Sequence, residues 1–366
     1  MIVHLITGTR PNVVKAAPVY KALSTIVGHN FTMIHTGQHF DYFMKDVFFN
    51  DLGLSEPEIQ LGARGPSHAS QTASIMCKYE DYIIEKTPDL IIVFGDVDST
   101  LACSLVASKM NVKIAHVESG LRSFDRLMPE EINRVLTDQL SDYLFTTSPE
   151  ADQNLLREGK SKEQLFFVGN TMIDSLVALN HYFDNSNIHK ELSLKNAYAL
   201  MTFHRPSNVD NLKSLYILVN SLIKLSKILT CVFPIHPRTK ISLDRLSLTK
   251  KLNSESNIIL TDPLRYIDFM SLQKQASVVI TDSGGIQEES TYFGVPCLTV
   301  RDSTERPVTV SMGTNRIIGT SYINIVDEVE LVLGKRFNKK RKIPALWDGM
   351  ASERIRDVFQ NKFNIL

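Results

Sequence analysis

The sequence has little cysteine, no excess of charge of either sign and no long apolar run. Its cysteines stand far apart with no CxxC pair, which argues against a disulfide framework and a zinc site and predicts reduced thiols in the core. Lys and Arg total 40, as do Asp and Glu, so charge favours neither nucleic acid nor an anionic membrane as a partner. No apolar run approaches the roughly 20 residues of a membrane span. The four cysteines are Cys77, Cys103, Cys231 and Cys297.

What the sequence does contain is a regular alternation of short apolar runs and longer amphipathic segments. At 366 residues, 43% of them hydrophobic, the chain is long enough for two domains. The alternation predicts an α/β protein with two Rossmann-like domains that face each other and hold one ligand in the cleft. The predicted strands are 2–7, 31–36, 90–94, 112–117, 143–147 and 165–168, then 198–203, 231–235, 258–260, 278–280 and 297–300.

The domain boundary is predicted at the polar, turn-rich segment 183–187. Residues 1–185 then form the first domain and 186–350 the second, and a final helix within 351–366 is predicted to pack back on the first domain. Because a strand-like run already begins at Ile2, no signal peptide is expected, and the protein is predicted to be cytoplasmic.

The segment 281–307 limits the possible functions more than any other part of the sequence. The predicted order is a strand at 278–280, the turn Ser283-Gly284-Gly285 and a helix at 286–293. A helix start of this kind binds anions through unpaired N–H groups and the helix dipole, and glycine lets the backbone approach the ligand. Glu289, one turn further on, would accept hydrogen bonds from a ribose. An ordinary strand-to-helix turn with surface acids explains the same residues.

Polar residues also follow the predicted strands of the first half. Arg10 and Lys15 stand near the start of the first helix, where cations and a helix N-terminus suit a diphosphate, although glycine turns end many strands without binding one. Asp96 lies in the turn after the third strand and is a catalytic candidate. Asp98 and Ser99 follow it, and capping of the next helix accounts for them equally well.

Two further carboxylates belong to the same edge of the first sheet. Glu118 ends the fourth strand, and Glu130 follows Pro129, which fits the first turn of a helix. Acids at a helix start also stabilise the helix without doing chemistry. Crowded carboxylates, however, raise one another's pKa, so that one can act as an acid while another acts as a base. On this spacing, Asp96, Glu118 and Glu130 are predicted to be catalytic.

In the second half, two histidines follow predicted strands, and each is joined to an arginine. His204 precedes Arg205, and His236 stands two residues before Arg238. A single histidine at a strand end is usually structural, whereas two at one sheet edge also fit an anion-facing role. Arg306 adds a further cation after the glycine turn.

Taken together, these motifs resemble the non-hydrolysing UDP-N-acetylglucosamine 2-epimerases. The matching segments, in order between about residue 8 and residue 307, are GTRPNVVKAAPV, TGQH, GDVDST, HVESGLRSFDRLMPEEINR, GNTMID, TFHRP, IHPR, TDSGGIQEE and RDSTERP. The resemblance implies two Rossmann-like domains of the glycosyltransferase-B type, a homodimer, and no metal or nicotinamide cofactor. It implies interconversion of UDP-GlcNAc and UDP-ManNAc for cell-envelope polysaccharides.

The resemblance also assigns roles to individual residues. The implied catalytic residues are Asp96, Glu118, Glu130 and His204. The implied UDP-binding residues are Arg10, Lys15, His236, Ser283, Gly284, Gly285, Glu289 and Arg306. The residues implied for a pocket that binds a second, activating UDP-GlcNAc are Gln38, His39 and Gln71. The loop between Arg122 and Pro129 is shorter than in some bacterial members, and Val308 stands where many members carry an acid. These two departures leave activation and sugar specificity open.

Four other functions are consistent with all or part of these motifs. An epimerase of a modified UDP sugar, such as a diacetamido-glucuronate, would share every motif. A glycosyltransferase of the same fold would share the phosphate-binding helix but would not need the three carboxylates. A hydrolysing epimerase would release free ManNAc, and the intact GTRP turn argues against it by resemblance. A UDP-sugar sensor without catalysis would have no use for the carboxylates.

Overall fold

The computed structural model describes residues 1–38, 49, 51–322, 324–334 and 342–363. The chain forms two compact units, the first made of Met1–Ala178 with Ala345–Leu366 and the second of Leu179–Pro344. Each unit contains one parallel sheet with helices between its strands. This confirms the predicted α/β class with two Rossmann-like domains.

The sheet of the first unit has seven parallel strands in the order β3-β2-β1-β4-β5-β6-β7. The strands are β1 (Ile2–Thr7), β2 (Asn30–His35), β3 (Ile59–Gln60), β4 (Leu90–Phe94), β5 (Lys113–Ser119), β6 (Tyr143–Thr146) and β7 (Leu165–Phe167). The helices are α1 (Arg10–Leu23), α2 (His68–Glu85), α3 (Asp98–Lys109), α4 (Pro129–Leu140), α5 (Pro149–Arg157) and α6 (Thr171–Asp184). The strand order reverses between β1 and β4, and ligands of such sheets bind outside the carboxyl ends of the strands at that point.

The second unit repeats this arrangement with six parallel strands in the order β10-β9-β8-β11-β12-β13. The strands are β8 (Tyr198–Thr202), β9 (Thr230–Pro234), β10 (Ile258–Thr261), β11 (Val278–Thr281), β12 (Cys297–Thr299) and β13 (Asn315–Ile317). The helices are α7 (Ile188–Glu191), α8 (Pro206–Val209), α9 (Leu212–Leu225), α10 (Pro237–Arg245), α11 (Leu248–Asn253), α12 (Tyr266–Gln275), α13 (Gly284–Phe293), α14 (Pro307–Ser311) and α15 (Ile325–Leu333). Here the order reverses between β8 and β11.

The last helix, α16 (Ala351–Phe363), belongs to the first unit and packs against α1. The buried carboxylate of Asp174 on α6 accepts hydrogen bonds from the backbone N–H of Ala351, at 3.1 Å, and of Ser352, at 2.6 Å. A negative charge at these unpaired N–H groups stabilises the start of the helix. Just before it, the indole Nε1 of buried Trp347 donates to the carbonyl of Thr147 at 3.0 Å.

Every predicted strand is present, with ends within two residues of the expected ones. The structure adds β3 and β13, which are short and partly exposed, so their apolar pattern was too brief to predict them. The strands are apolar on both faces because helices cover parallel sheets on both sides. Within the described ranges, no helix is both long and apolar enough to cross a bilayer.

The prediction that all four cysteines lie in the core is wrong for Cys77, which is exposed on α2. The buried face of α2 is formed by Ile75, Tyr79 and Ile83, at intervals of four residues. Cys77 stands two positions from that series, and residues two apart on a helix point to different sides. The other three cysteines are buried as expected.

Candidate active site

In the first unit, Lys15 and Glu118 form an ion pair at the carboxyl ends of β1 and β5. Both side chains are almost fully buried, with 5% and 3% of their surface exposed. Lys15 is predicted to bind a diphosphate and Glu118 to be catalytic, and only the structure shows that their side chains contact each other. A bound anion and Glu118 would therefore share the same ammonium group.

The backbone at Glu118 is strained. Its φ of +71° lies in the left-handed region, and the pairing of β5 with β6 shifts between Val117 and Ser119. An extra residue in one strand bends it and re-aims a side chain, and such bulges are frequent beside active sites. A left-handed conformation costs a residue other than glycine about 1–2 kcal/mol. Strain of this kind is typical of functional sites, where the surrounding structure holds it in place.

Gly95 lies opposite this bulge, and two features of the structure disfavour a side chain at its position. Its φ is +60°, and a Cβ atom at this position would stand 2.9 Å from Nζ of Lys15. Its N–H donates to the carbonyl of Val117 at 3.0 Å. Asp96 follows Gly95, and Glu118 follows Val117. The two carboxylates therefore start from neighbouring positions at the same edge of the sheet.

Asp96 is held by Arg134 from α4. Both Nε and Nη2 of Arg134 donate to the same carboxylate oxygen of Asp96, at 2.9 and 2.6 Å, while Nη1 donates to Glu131 at 2.6 Å. The amide of Asn133 donates to the backbone carbonyl of Asp96 at 2.9 Å. The carboxylate is partly exposed, with 19% of the side chain accessible. Asp96 is therefore oriented by α4 and still accessible to solvent.

Glu130 and Glu131, adjacent on the first turn of α4, have different environments. Pro129 occupies the first helical position, as predicted. Glu131 is buried and accepts hydrogen bonds from the backbone N–H groups of Ser123 and Phe124, at 2.9 and 2.8 Å. Glu130 is half-buried, and its side chain makes no hydrogen bond or ion pair with the part of the chain that the structure describes. Of the two acids, Glu130 is thus the one left available for chemistry.

Behind this edge, the buried ring of His116 on β5 connects two strands with α4. Its Nδ1 lies 2.6 Å from Asp138 and its Nε2 lies 2.7 Å from the carbonyl oxygen of Gly95. Asp138 also accepts from the N–H of Gly120 and pairs with Arg122 at 2.7 Å. Burial alone raises the pKa of Asp138, but His116 and Arg122 together hold it below the usual value. This charged cluster fixes the turns that carry Asp96 and Glu118.

Two of the residues implied for the second pocket are engaged in hydrogen bonds of the first unit. The side-chain oxygen of Gln38 accepts from the N–H and the hydroxyl of Ser99, at 3.0 and 2.7 Å. Gln71 accepts from the N–H of Gly65 at 2.8 Å and donates to the carbonyl of Ala63 at 3.2 Å, so it orders that loop. His39 lies outside the described residues. Arg10, at the first position of α1, is exposed.

In the second unit, His204 and Asp282 meet where the strand order reverses. His204 follows β8, Asp282 follows β11, and Nδ1 of His204 lies 2.9 Å from Oδ1 of Asp282. Asp282 is fully buried, whereas 41% of the His204 side chain is exposed. The ring of His236, which follows β9, lies 5.6 Å from that of His204. The two histidines predicted to face an anion are thus neighbours.

Helix α13 begins at Gly284, not at residue 286 as predicted. Ser283 is its N-cap in an extended conformation, so both glycines belong to the first helical turn. Gly294 ends the helix with a φ of +76°, as expected for a C-cap glycine. Glu289 is buried in this helix, and its negative charge, together with the larger effect of burial, raises the pKa of the Tyr266 hydroxyl.

Arg306 lies beside the start of α13, where two glutamates surround it. Its Nε stands 3.1 Å from Glu288, and its Nη1 pairs with Glu305, which also binds Arg301 at 2.7 Å. All four side chains are buried. A Cβ atom on Gly284 would stand 2.4 Å from Nη1 of Arg306 and 2.5 Å from Glu305. A side chain at this position would have to displace the ends of the Arg306 and Glu305 side chains, so glycine leaves room for this buried ion pair.

We expect Gly284→Ala to lower the free energy of unfolding by about 1–3 kcal/mol, the cost of overpacking a well-packed interior. The added methyl group has to displace a buried guanidinium and carboxylate, which also disturbs the first turn of α13. Urea denaturation measures the stability, and calorimetric titration measures UDP affinity. Ser283→Ala is the matched control for stability, since the Ser283 side chain makes no cap hydrogen bond. An alanine variant as stable as the original protein would contradict this account of Gly284.

Sequence reasoning did not single out four residues that hold the predicted ones in place. They are Arg134, Asp282, Glu288 and Glu305. Arg134 stands three residues after Glu131, a spacing at which opposite charges meet on a helix. The sequence therefore contains enough information to predict this ion pair. Glu305 is adjacent to Arg306 and four residues after Arg301, so its ion pairs are also local. Asp282 and Glu288 pair with residues of other elements, and no local spacing indicates those contacts. Among the described residues, no group of three His, Cys, Asp or Glu side chains is placed to hold a metal ion.

Comparison with known proteins gives a consistent result over almost the whole chain. The family model described as UDP-N-acetylglucosamine 2-epimerase matches residues 21–360. The UDP-N-acetylglucosamine 2-epimerase of Methanocaldococcus jannaschii is 40% identical over 361 residues, which cover 97% of this chain and 98% of that protein. The UDP-2,3-diacetamido-2,3-dideoxy-D-glucuronate 2-epimerase of Pseudomonas aeruginosa is 37% identical over 358 residues, with the same shares covered.

A solved structure agrees with the fold. The crystal structure of Methanocaldococcus jannaschii UDP-GlcNAc 2-epimerase in complex with UDP-GlcNAc and UDP matches with a TM-score of 0.91 and 40% identity. The match covers 99% of this chain and 100% of that one.

Proposed function

The chain belongs to the UDP-N-acetylglucosamine 2-epimerase family, and on this basis we propose that it interconverts UDP-GlcNAc and UDP-ManNAc without hydrolysis. The observation that carries the proposal is the pair of carboxylates, Asp96 and Glu118, which leave one sheet edge beside the buried cations Arg134 and Lys15. An inversion at carbon needs proton carriers on both faces of the sugar, and oriented carboxylates are suited to that task.

The chemistry explains why charge for a leaving group and proton carriers are needed together. The C2 hydrogen of a pyranose has no neighbouring carbonyl, so it becomes acidic only as the C1–O bond to UDP breaks. In the proposed reaction a carboxylate takes the C2 proton, the C2–H electrons form the C1=C2 double bond of 2-acetamidoglucal, and UDP leaves with the C1–O electrons. Return of a proton to the opposite face of C2 and of UDP to C1 completes the inversion. The net reaction is an isomerisation and needs neither a metal nor nicotinamide.

The roles proposed for individual residues are those that the family resemblance implies. Asp96, Glu118 and Glu130 are the proton carriers, and His204 acts on the substrate. The start of α13 and the strand-end cations bind UDP, because N–H groups and cations stabilise the negative charge that develops on the departing diphosphate. The proposed UDP-binding residues are Arg10, Lys15, His236, Ser283, Gly284, Gly285, Glu289 and Arg306. Arg306 is already balanced by Glu288 and Glu305, so its part is to support the start of α13 as well as to attract the diphosphate.

Incubation with UDP-GlcNAc in D₂O tests the proposal. We expect deuterium at C2 together with UDP-ManNAc, followed by NMR. Release of free ManNAc would instead identify a hydrolysing enzyme. No exchange at C2 with any UDP-N-acetyl sugar would reject the mechanism.

A second candidate substrate is a modified UDP sugar. The relative from Pseudomonas aeruginosa, at 37% identity over nearly the full length, is named for UDP-2,3-diacetamido-2,3-dideoxy-D-glucuronate. The same elimination and re-addition would serve that sugar. A panel of both substrates separates the candidates by kcat/KM.

The family resemblance extends the proposal to assembly and control. We propose a cytoplasmic homodimer that supplies UDP-ManNAc for cell-envelope polysaccharides and is activated by a second UDP-GlcNAc near Gln38, His39 and Gln71. Activation predicts that reverse epimerisation of UDP-ManNAc alone is slow and that a trace of UDP-GlcNAc accelerates it. Light scattering in solution tests the dimer.

A further inference from the structure

The carboxylate of Asp282 is buried where β8 and β11 end, and several donors converge on it. The backbone N–H groups of His204 and Arg205 donate to Oδ2 at 3.0 and 2.9 Å, and the amide of Asn208 donates to the same oxygen at 2.9 Å. Nδ1 of His204 lies 2.9 Å from Oδ1. Among the described residues, two backbone N–H groups and the Asn208 amide donate to this carboxylate, and Nδ1 of His204 is the fourth polar group beside it.

The orientation of the Asn208 amide is fixed by its other neighbours. The hydroxyl of Tyr322 donates to its oxygen at 2.7 Å, and its nitrogen also donates to the carbonyl of Val300 at 3.4 Å. A flipped amide would place its oxygen against the Val300 carbonyl and the Asp282 carboxylate, two groups that can only accept. Asn208 consequently has to present N–H to Asp282.

The same reasoning determines where the proton of His204 sits. An ionised carboxylate accepts hydrogen bonds only, so the nitrogen that faces it must carry hydrogen. Burial alone raises the pKa of Asp282, but His204, the N–H of Arg205 and the amide of Asn208 bring it down to about 2, so the carboxylate is ionised. The other ring nitrogen, Nε2, makes no hydrogen bond with any residue in the described ranges. The exposed part of the ring lies beside His236.

We propose that Asp282 is a positioning residue: it fixes the N–H of His204 on Nδ1 and thereby directs Nε2 to the bound UDP-sugar. This inference rests on the proposed function, in which His204 acts on the substrate. A carboxylate that accepts from one ring nitrogen of a histidine sets the tautomer and the orientation of the ring. Asp282 itself touches no substrate, since it is fully buried behind the ring.

The substitution Asp282→Asn tests the proposal because an amide cannot satisfy every donor. Wherever its NH₂ group points, it meets another donor, and backbone N–H groups and Asn208 cannot adapt. The imidazole ring is the one neighbour that can move its proton. We therefore expect the variant to hold His204 with its proton on Nε2, and kcat to fall by about 10²–10⁴-fold, more than KM changes.

Asn208→Ala is the matched control. It removes a hydrogen bond to the same buried carboxylate, so it lowers stability, but it leaves the contact between Asp282 and His204 in place. We expect a lower unfolding midpoint with a fall in kcat of less than about tenfold. An equal loss of kcat in both variants would mean that Asp282 serves only the stability of this region, and would overturn the proposal.

A measurement on the original protein does not require Asp282→Asn to fold. In ¹⁵N-histidine-labelled protein, the His204 signals, assigned by comparison with His204→Gln, should show a proton on Nδ1, and the Nε2 signal should shift when UDP is added. A proton on Nε2 alone, or an Nε2 signal unchanged by UDP, would overturn the inference. The NMR result does not depend on turnover, so failure of the C2-exchange experiment with the expected spectrum would reject the proposed function and leave the positioning of His204 intact.

Discussion

Replacement of Asp96 by asparagine is expected to lower turnover by about 10²–10⁴-fold, the contribution of one acid/base group, while UDP binding changes little. Asparagine has the shape of aspartate and keeps an oxygen for Arg134, whose Nε and Nη2 both donate to one carboxylate oxygen. It cannot take or return a proton. The loss should therefore appear in kcat and in deuterium exchange at C2, and calorimetry should give an almost unchanged UDP affinity.

The control for this experiment is Asp81→Asn, the same chemical change at an exposed position of α2. It should leave turnover and UDP affinity as they are. Normal turnover in Asp96→Asn would show that Asp96 is not a proton carrier. Equal losses of turnover and UDP affinity would instead mean that Asp96 and Arg134 form part of the binding site.

Replacement of Glu118 by glutamine should affect stability as well as turnover. Lys15 and Glu118 are both almost fully buried, so the neutral side chain leaves an ammonium group without its counter-ion. Breaking a buried ion pair in this way costs about 3–5 kcal/mol. If Lys15 also binds the diphosphate, UDP supplies the missing negative charge, and its binding should stabilise the variant more than the original protein.

Urea denaturation with and without saturating UDP measures both effects. A matched control is Glu353→Gln, which breaks an ion pair with Arg356 on the partly exposed α16 and should cost less than about 1 kcal/mol. If UDP does not reduce the destabilisation of Glu118→Gln, Lys15 is not part of the UDP site. Full turnover in that variant would exclude Glu118 as a proton carrier.

The sequence was sufficient to predict the parts of the fold that depend on local pattern. Apolar runs located the strands, Pro129 located the start of α4, and Gly294 located the end of α13. It also placed Asp96 and Glu118 at one sheet edge, because in a parallel sheet the carboxyl ends of neighbouring strands lie side by side. Cys77 was misplaced because a single residue reveals little about which face of a helix it occupies.

The pairing of charges could not be predicted in the same way. Lys15 meets Glu118, and Arg306 meets Glu288, across different elements of the structure. Which cation reaches which carboxylate depends on side-chain directions and on differences of an ångström, and sequence spacing does not record them. In the same way, sequence spacing does not show that Arg306 and Glu305 lie where a Cβ atom of residue 284 would stand.

The strained backbone at Glu118 has a consequence for laboratory evolution. A screen that rewarded heat resistance alone would favour glycine or asparagine at this position, since both tolerate a positive φ, but only when Lys15 is replaced as well, because a buried ammonium group without its counter-ion costs more than the strain. It would also favour an apolar residue at Lys15, because well-packed apolar side chains often replace a buried ion pair with a gain in stability. If Glu118 and Lys15 act as proposed, the winners of such a screen would be stable but inactive, and thermostable catalysts have to be sought through substitutions elsewhere in the chain.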